Sequence, residues 1–171
     1  MTALFVALYV FITQVGAGLM PLRIGDKAPD FAAMTLTANP LPKSLGDYRG
    51  EVVLLNIWAT WCGPCRIEMP SMQKLEQQLG PKGLKIVAVS VDVAGSEARI
   101  LDFARELGLS FELLHDAPGL IQRAYQTTGV PETFVIDRTA RLRRRIIGAD
   151  DWSSAANVAF FERLLAEPAG R

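Results

Sequence analysis

The sequence predicts an α/β domain with a central mixed sheet and helices on both of its faces. Two apolar runs rich in β-branched residues, 52–58 and 84–91, have the composition of central strands that are covered on both sides. The elements around them alternate between strand and helix and finish with a hairpin and a helix. That order favours a sheet whose strands run in both directions.

The remaining elements follow from local patterns. The helix after the first apolar run is expected to begin near Cys62 and to stop before Gly80 and Pro81. The final helix is expected to bury Ala156, Phe160 and Leu164, which share one face at helical spacing. The other predicted elements are a strand at 32–37, a helix ending at Gly108, a strand at 111–114, a helical turn at 120–125, and a hairpin of strands 133–136 and 142–147.

Length and charge restrict the function classes. The chain has 171 residues, of which half are hydrophobic, so one domain with a substantial core plus a short extension is expected. Its 18 basic and 18 acidic side chains cancel. Because the chain has no net positive charge to attract a polyanion, nucleic acid is not expected as a partner.

The N-terminus contains an uncharged stretch, residues 3–22, which is about long enough to cross a bilayer. Small residues at 15–18 resemble the end of a secretory signal, although no Lys or Arg precedes the apolar run. We divide the chain into a signal peptide or membrane anchor at 1–22 and a domain at 23–171. The alternatives are translation from Met20, which would make the protein cytoplasmic, and a buried core helix.

The only two cysteines, Cys62 and Cys65, are two residues apart. A bridge between them closes too short a loop to stabilise the chain, so its role is expected to be chemical. Both lie where a buried strand gives way to a helix, whose unpaired N–H groups and dipole favour a thiolate. Cys62, the outer residue, is expected to be the more exposed and to attack a disulfide. Cys65 would then resolve the mixed disulfide.

Metal binding is the competing interpretation. Zinc normally takes four nitrogen or sulfur ligands, and this chain has two cysteines and one histidine. A non-catalytic binding module or a copper(I) carrier using Cys62, Cys65 and His115 remains open, since thiolates suit that metal. His115 stands beside Asp116 at a strand end, where a surface position is expected.

Several motifs together resemble one family. The segment Trp-Cys-Gly-Pro-Cys at 61–65 resembles the active site of the thioredoxin superfamily, and those at 25–31, 55–62 and 66–70 resemble its TlpA/ResA branch. A peroxiredoxin is not favoured, because Ala59 stands where Thr-x-x-Cys would require threonine. The similarity covers about residues 24–166. It implies a thioredoxin-like fold and an exported thiol–disulfide reductase, in several members serving cytochrome c maturation.

The resemblance also implies partners and a redox direction. The substrates would be disulfide-bearing proteins, a membrane-embedded dithiol donor would re-reduce the pair, and no cofactor is needed. The Gly63-Pro64 dipeptide is the one found in thioredoxin, which indicates the reducing end of the potential scale. Membrane contact is expected only through residues 1–22.

Residue roles follow from the same resemblance. Pro131 would be a cis-proline and Val130 would offer backbone groups to an extended substrate, although an ordinary trans proline fits the sequence alone. Asn56 replaces the aspartate of cytoplasmic thioredoxins, which leaves Glu68 as the candidate proton shuttle. A solvent-facing Glu68 near the helix start is the alternative. Trp61 is expected to contact substrate.

One local charge cluster stands apart from these motifs. Arg138 and the run Arg141–Arg145, with Leu142 inside it, fall on the predicted hairpin. A solvated basic edge that discourages sheet-to-sheet pairing is the expected role, with an acidic partner or lipid headgroups as the alternative.

Overall fold

The computed structural model describes residues 21–37 and 39–169. The predicted signal peptide or anchor therefore lies, up to position 20, outside the described residues. None of the helices within the described ranges combines the length and apolar character that crossing a bilayer requires. Residues 21–37 and 39–169 contain seven strands: β1 Ala32–Thr35, β2 Pro42–Ser44, β3 Val52–Trp58, β4 Leu84–Ser90, β5 Glu112–His115, β6 Glu132–Ile136 and β7 Leu142–Ile147. The same ranges contain four α-helices: α1 Gly63–Leu79, α2 Glu97–Glu106, α3 Leu120–Ala124 and α4 Ala155–Ala166.

The seven strands form one sheet in the order β2-β1-β5-β4-β3-β6-β7. Strand β4 pairs in parallel with β3 and β5, whereas β6 runs antiparallel to both β3 and β7. Strand β1 is antiparallel to β2 and β5. The prediction of a mixed sheet is confirmed.

Strand β3 separates two apolar cores because its side chains alternate between the two faces of the sheet. Leu54 and Trp58 belong to a core that also contains buried residues of α1, α2 and α4. Leu55 and Ile57 belong to a second core, which α3 and the N-terminal segment cover. Helices therefore lie on both faces, as predicted, and every residue of β3 is buried.

Helix α1 connects the sheet to the cysteine pair. Pro64 lies in its first turn, where the missing N–H needs no partner, and the helix continues through Pro70 to Leu79. Its inner face buries apolar residues: Met69, Met72, Leu75 and Leu79. This burial anchors the helix firmly on the sheet, so the position of its first turn is well defined.

Helix α4 is rotated from the predicted face. The buried residues are Asn157, Phe161 and Leu164, whereas Ala156 is exposed and Phe160 is only partly buried. The reason is polar: the Asn157 side chain hydrogen-bonds Asp150 and Asp151 and draws that face of the helix inward. The predicted face was chosen from the spacing of apolar residues alone, so a buried, hydrogen-bonded asparagine was not expected on it.

Arg143, Arg144 and Arg145 lie on the edge strand β7, as expected, but the side chains of the cluster are not simply solvated. Arg143 binds Asp137 and Glu167, and Arg145 binds the buried Glu132. Arg144 donates to Asn157 and stacks on the ring of Phe160, with its guanidinium 3.7 Å from the ring centroid. Arg141 donates to the Gly25 carbonyl. The expected edge strand is confirmed, and its charges are paired as well as partly solvated, because the rest of the fold supplies partners for them.

Candidate active site

Cys62 is the residue that caps helix α1. Its backbone is extended, with φ −86° and ψ 105°, and its N–H donates to the carbonyl of Ala59 over 3.1 Å. Its Sγ accepts a hydrogen bond from the backbone N–H of Cys65, also at 3.1 Å. The sulfur therefore occupies the position in which a capping side chain receives the unpaired N–H groups of a helix, and these groups favour negative charge there.

Cys62 and Cys65 are joined in a disulfide, with their Cα atoms 5.3 Å apart. Cys62 retains 4 % of its surface and Cys65 none. The order of exposure is the predicted one, but Cys62 is less open than expected. The surroundings of the pair are accessible nevertheless, because Trp61 is 69 % exposed and Gly63 and Pro64 are also exposed.

The loop before Cys62 is held by Asp92, a residue that the sequence did not single out. The buried Asp92 carboxylate accepts from the backbone N–H of Thr60 at 2.8 Å and from its hydroxyl at 2.6 Å. Burial acts to raise the pKa of Asp92, but the hydrogen bonds from Thr60 and Ser90 hold it below its usual value. Asp92 thus ties the end of β4 to the loop that carries Trp61.

Glu68 is buried beneath the first turns of α1, with 2 % of its surface exposed, which contradicts the solvent-facing alternative. Its Oε1 accepts from Asn56 Nδ2 at 2.8 Å. Its Oε2 accepts from Trp152 Nε1 at 3.2 Å and from the backbone N–H of Asp150 at 3.3 Å. Burial raises the pKa of Glu68 above its ordinary value, against the lowering effect of these hydrogen bonds.

Asn56 sits directly under this carboxylate. It lies on β3 opposite Thr133 of β6, and its Nδ2 donates to the Thr133 hydroxyl at 2.9 Å as well as to Glu68. Its Oδ1 is buried without a partner among the described residues. Because Cys65 and Glu68 are three residues apart on one helix, a buried titratable group lies next to the inner cysteine.

The Val130–Pro131 peptide bond is cis, as the resemblance implied. Pro131 is buried, its carbonyl accepts from the backbone N–H of Gly148 at 2.9 Å, and Val130 is partly buried against the core that contains both cysteines. The pairing of Ile57 with Glu132 places this loop beside the end of β3, from which the chain continues to Cys62.

Glu132 follows the cis-proline and is fully buried. One carboxylate oxygen accepts from Arg145 and the other from the backbone N–H of Thr128 at 2.8 Å. Through Glu132, the Thr128 backbone in the loop before Pro131 is therefore attached to Arg145 of the edge strand β7. The sequence analysis missed the Glu132–Arg145 ion pair, because Arg145 appeared there only as one member of an arginine run.

The metal-binding interpretation gains no support from the geometry. Within the described part of the chain, no three His, Cys, Asp or Glu side chains come together as a candidate metal site. His115 is not a surface residue: its side chain is 7 % exposed, and its ring contacts the Asp92 carbonyl at 2.8 Å and Glu97 at 3.1 Å. The loop after β4, which carries Asp92, and Glu97 at the start of α2 cover this position at the strand end.

Four large apolar side chains near this end of the sheet are exposed. Trp61 precedes Cys62, Ile67 lies on the outer side of α1, Val93 follows β4 and Ile147 ends β7 opposite Glu132. Their exposed fractions range from 67 % to 78 %. Only Trp61 was singled out from the sequence, because isolated apolar residues outside a periodic pattern carry no local signal. Apolar area left open beside a reactive pair is typical of an interaction surface.

A mixed sheet, a disulfide that caps a helix and a cis-proline loop beside it define the thioredoxin-like class of protein. The predicted fold class is confirmed. A structure from Chlorobium tepidum, assigned as the thiol:disulfide interchange protein DsbE, superposes with a TM-score of 0.71 at 33 % identity and covers 84 % of this chain and 96 % of its own.

The sequence comparisons agree. The AhpC/TSA family profile matches residues 24–145. The thiol-disulfide oxidoreductase ResA of Geobacillus kaustophilus is 34 % identical over 140 residues, which are 82 % of this chain and 78 % of the relative. That of Oceanobacillus iheyensis is 38 % identical over 129 residues, 74 % of this chain and 66 % of the relative. The chain belongs to the AhpC/TSA family. The resemblance to ResA that its motifs indicated is confirmed.

Proposed function

We propose that this protein is a thiol–disulfide oxidoreductase that reduces disulfides in protein substrates through Cys62 and Cys65. The observation that carries the proposal is the position of the pair. Cys62 Sγ caps a helix of 17 residues and already accepts a backbone hydrogen bond, so its thiolate has a ready-made stabilising environment.

The exchange proceeds in two displacements. The Cys62 thiolate attacks one sulfur of a substrate disulfide, a mixed disulfide forms, and the other substrate sulfur leaves as a thiolate that takes a proton from solvent. Cys65 then loses its proton and attacks Cys62 Sγ, which releases the second substrate sulfur. Two electrons pass to the substrate, and the protein ends with the Cys62–Cys65 disulfide.

Glu68 is proposed to accept the proton of Cys65. It lies one helical turn from Cys65, and burial raises the pKa of its carboxyl group toward the range in which a proton can be taken and returned. Among the described residues its hydrogen-bond partners are all neutral donors, so none of them is a cation that would hold the carboxylate in its charged form.

Trp61, Val130 and Pro131 are proposed to contact the substrate. The exposed ring of Trp61 provides a flat apolar surface next to Cys62. Val130 has no backbone hydrogen bond to another described residue, so its N–H and carbonyl groups are open to an extended segment that would add to the edge of the site. Substrate segments with apolar residues around their cysteine fit this surface best.

The Gly63-Pro64 dipeptide supports a reducing role. Thioredoxin, which has the same dipeptide, has a potential of about −270 mV, whereas the strong oxidant DsbA has about −120 mV. We expect this protein near the thioredoxin value. A measured potential above about −180 mV would identify an oxidase or isomerase instead.

We further propose an extracytoplasmic location. The uncharged residues 3–22 support a signal peptide or membrane anchor at 1–22, followed by a thioredoxin-like domain at 23–171. A membrane dithiol donor would re-reduce the pair, and cytochrome c maturation is one pathway of this kind. Cell fractionation separates this location from the cytoplasmic one that a start at Met20 would produce.

Insulin reduction by dithiothreitol tests the activity. The wild-type protein should accelerate precipitation of the insulin B chain, and Cys62→Ser should return the rate to that of dithiothreitol alone. Cys65→Ala is the matched variant, since it should accumulate a mixed disulfide that a non-reducing gel displays. Equal precipitation rates for wild type and Cys62→Ser would end the proposal.

A further inference from the structure

Asp92 is a buried carboxylate bonded to the loop that leads into Cys62. Only 1 % of its surface is exposed. Its Oδ2 accepts from the Thr60 N–H at 2.8 Å and from the Ser90 hydroxyl at 2.7 Å, and its Oδ1 accepts from the Thr60 hydroxyl at 2.6 Å. Because Thr60 is two positions before Cys62, a carboxylate is attached to the segment that carries the attacking sulfur.

The contacts of Asp92 keep it ionised. Burial acts to raise the pKa of Asp92, but the hydrogen bonds from Thr60 and Ser90 and the charge of Arg99 hold it below its usual value. The Arg99 guanidinium donates to the Ser96 hydroxyl rather than to this carboxylate. Among the described residues, the side-chain contacts of Asp92 are therefore to neutral groups, and its negative charge is not cancelled by an ion pair.

A negative charge at this place acts on only one redox state of the cysteine pair. The Cys62–Cys65 disulfide is neutral, whereas the reduced pair carries the Cys62 thiolate. The short chain segment between them puts the two charges roughly 10 Å apart. Asp92 and Cys62 are both buried, so salt and solvent screen them little, and their repulsion should change the thiolate-to-thiol ratio about tenfold.

We propose that the negative charge of Asp92 repels the Cys62 thiolate and thereby makes the protein a stronger reductant. The inference rests on the proposed function, because it concerns the thiolate that attacks the substrate. The helix start stabilises this thiolate, and Asp92 opposes part of that stabilisation. A reduced pair with a less stable thiolate gives up its two electrons more readily, whereas the strong oxidant DsbA has a stabilised reduced form. Because its carboxylate bonds Thr60 and Ser90 rather than a sulfur atom, Asp92 is a positioning residue.

Other charged side chains near the cysteine pair are placed differently. Several have a partner of opposite charge on a neighbouring element: Arg66 with Glu106, His115 with Glu97, and Glu132 with Arg145. Three carboxylates have neutral donors: Glu68 faces Asn56 and Trp152, Asp116 caps α3, and Asp150 accepts from Asn157. Asp92 differs from all of these because its carboxylate is bonded to the segment that precedes Cys62.

Asp92→Asn removes the charge with little change in shape. The amide oxygen can take the place of Oδ2 and accept from both the Thr60 N–H and the Ser90 hydroxyl. The amide NH₂ can donate to the Thr60 hydroxyl, which accepts as well as donates. One amide hydrogen is left without a partner, so thermal denaturation first checks that the variant is folded. Asp92→Ser is a second, smaller variant without the charge.

Two controls separate the charge of Asp92 from its contacts and from net charge. Thr60→Val removes the hydroxyl contact and keeps the carboxylate and its bond to the backbone N–H. Asp102→Asn removes an exposed carboxylate of α2, which pairs with Arg105 at the surface. Neither control should change the ionisation of Cys62, because the first retains the charge and the second removes one that solvent screens.

The ionisation of Cys62 is measured by the pH dependence of its alkylation by iodoacetamide. A Cys65→Ala background makes Cys62 the only thiol in the chain. Asp92→Asn should move the midpoint of this profile downward by about one pH unit, and Asp92→Ser should move it in the same direction. With both cysteines present and at a pH above the midpoint, Asp92→Asn should raise the reduction potential by about 30 mV, which is a tenfold change for a two-electron couple.

Two results would overturn the proposal. One is a folded Asp92→Asn protein with the alkylation midpoint and the potential of the wild type, because a merely structural role would lower stability and leave both unchanged. The other is a Thr60→Val protein that shifts both as far as Asp92→Asn does. Neither measurement uses a protein substrate, so a failed insulin assay together with a shifted midpoint would reject the proposed function alone.

Discussion

Glu68 and Glu132 are both buried near the same end of the sheet, yet their surroundings differ in one decisive respect. Glu132 is paired with the guanidinium of Arg145, which itself lies 5.4 Å from the centroid of the Phe134 ring. In the part of the chain that the structure describes, the donors to Glu68 are all neutral and come from Asn56, Trp152 and the backbone of Asp150.

This difference indicates which of the two carboxylates has a structural role and which takes part in proton transfer. A buried carboxylate paired with a cation has mainly a structural role, because removing either partner leaves the other charge buried without compensation. A buried carboxylate with only neutral partners exchanges its proton more readily, and burial raises the pKa of Glu68 accordingly. We therefore expect Glu132 to hold the cis-proline loop in place and Glu68 to participate in proton transfer.

The largest effect on stability is expected for Glu132→Gln. The substitution leaves Arg145 partly buried without its counter-charge and weakens the bond to the Thr128 N–H, at a cost of about 3 kcal/mol in the free energy of unfolding. Urea denaturation at neutral pH measures the loss.

Glu167→Gln is the matched control on the same edge. Its partner Arg143 keeps a second carboxylate, Asp137, and Glu167 is exposed to solvent. No measurable change in stability is expected for this variant, because exposed ion pairs contribute little. Equal losses for the two variants would remove the distinction between a buried and an exposed pair.

Trp152→Phe should have a smaller effect, which is specific to Glu68. It removes the Nε1 donor from the carboxylate, costs about 1–2 kcal/mol in unfolding free energy at neutral pH, and raises the pKa of Glu68 further. The control Trp61→Phe changes an exposed ring and should leave stability unaltered. A pH–rate profile for mixed-disulfide resolution that does not move upward in Trp152→Phe would show that this donor does not act on Glu68.

The raised pKa of Glu68 should contribute a measurable pH dependence to the free energy of unfolding. Because its pKa is raised on folding, the contribution of Glu68 is fully present below the unfolded pKa and is lost as pH rises through the folded pKa. The slope from this single group is at most about 1.4 kcal/mol per pH unit. Comparing denaturation of reduced wild type and Glu68→Gln from pH 4 to pH 9 isolates it, and identical slopes would contradict a raised pKa.

The local sequence was sufficient for the fold class and for the reactive pair. An apolar run leading into Trp-Cys-Gly-Pro-Cys specifies a buried strand that delivers two cysteines to a helix start, because strand burial, capping and proline placement are all short-range properties. The family motifs added the cis-proline at position 131, which is present.

Only the tertiary structure decided which charges have partners. The donors to Glu68 come from Asn56, 12 residues before it, and from Trp152, 84 residues after it, and Asn56 also reaches Thr133, 77 residues away. Likewise, the sequence predicted only a solvated basic edge for the arginines of β7, whereas the fold brings Glu132, Asp137 and Glu167 to them. Hydrogen bonds between distant segments depend on strand register and helix placement, and no short stretch of sequence carries that information.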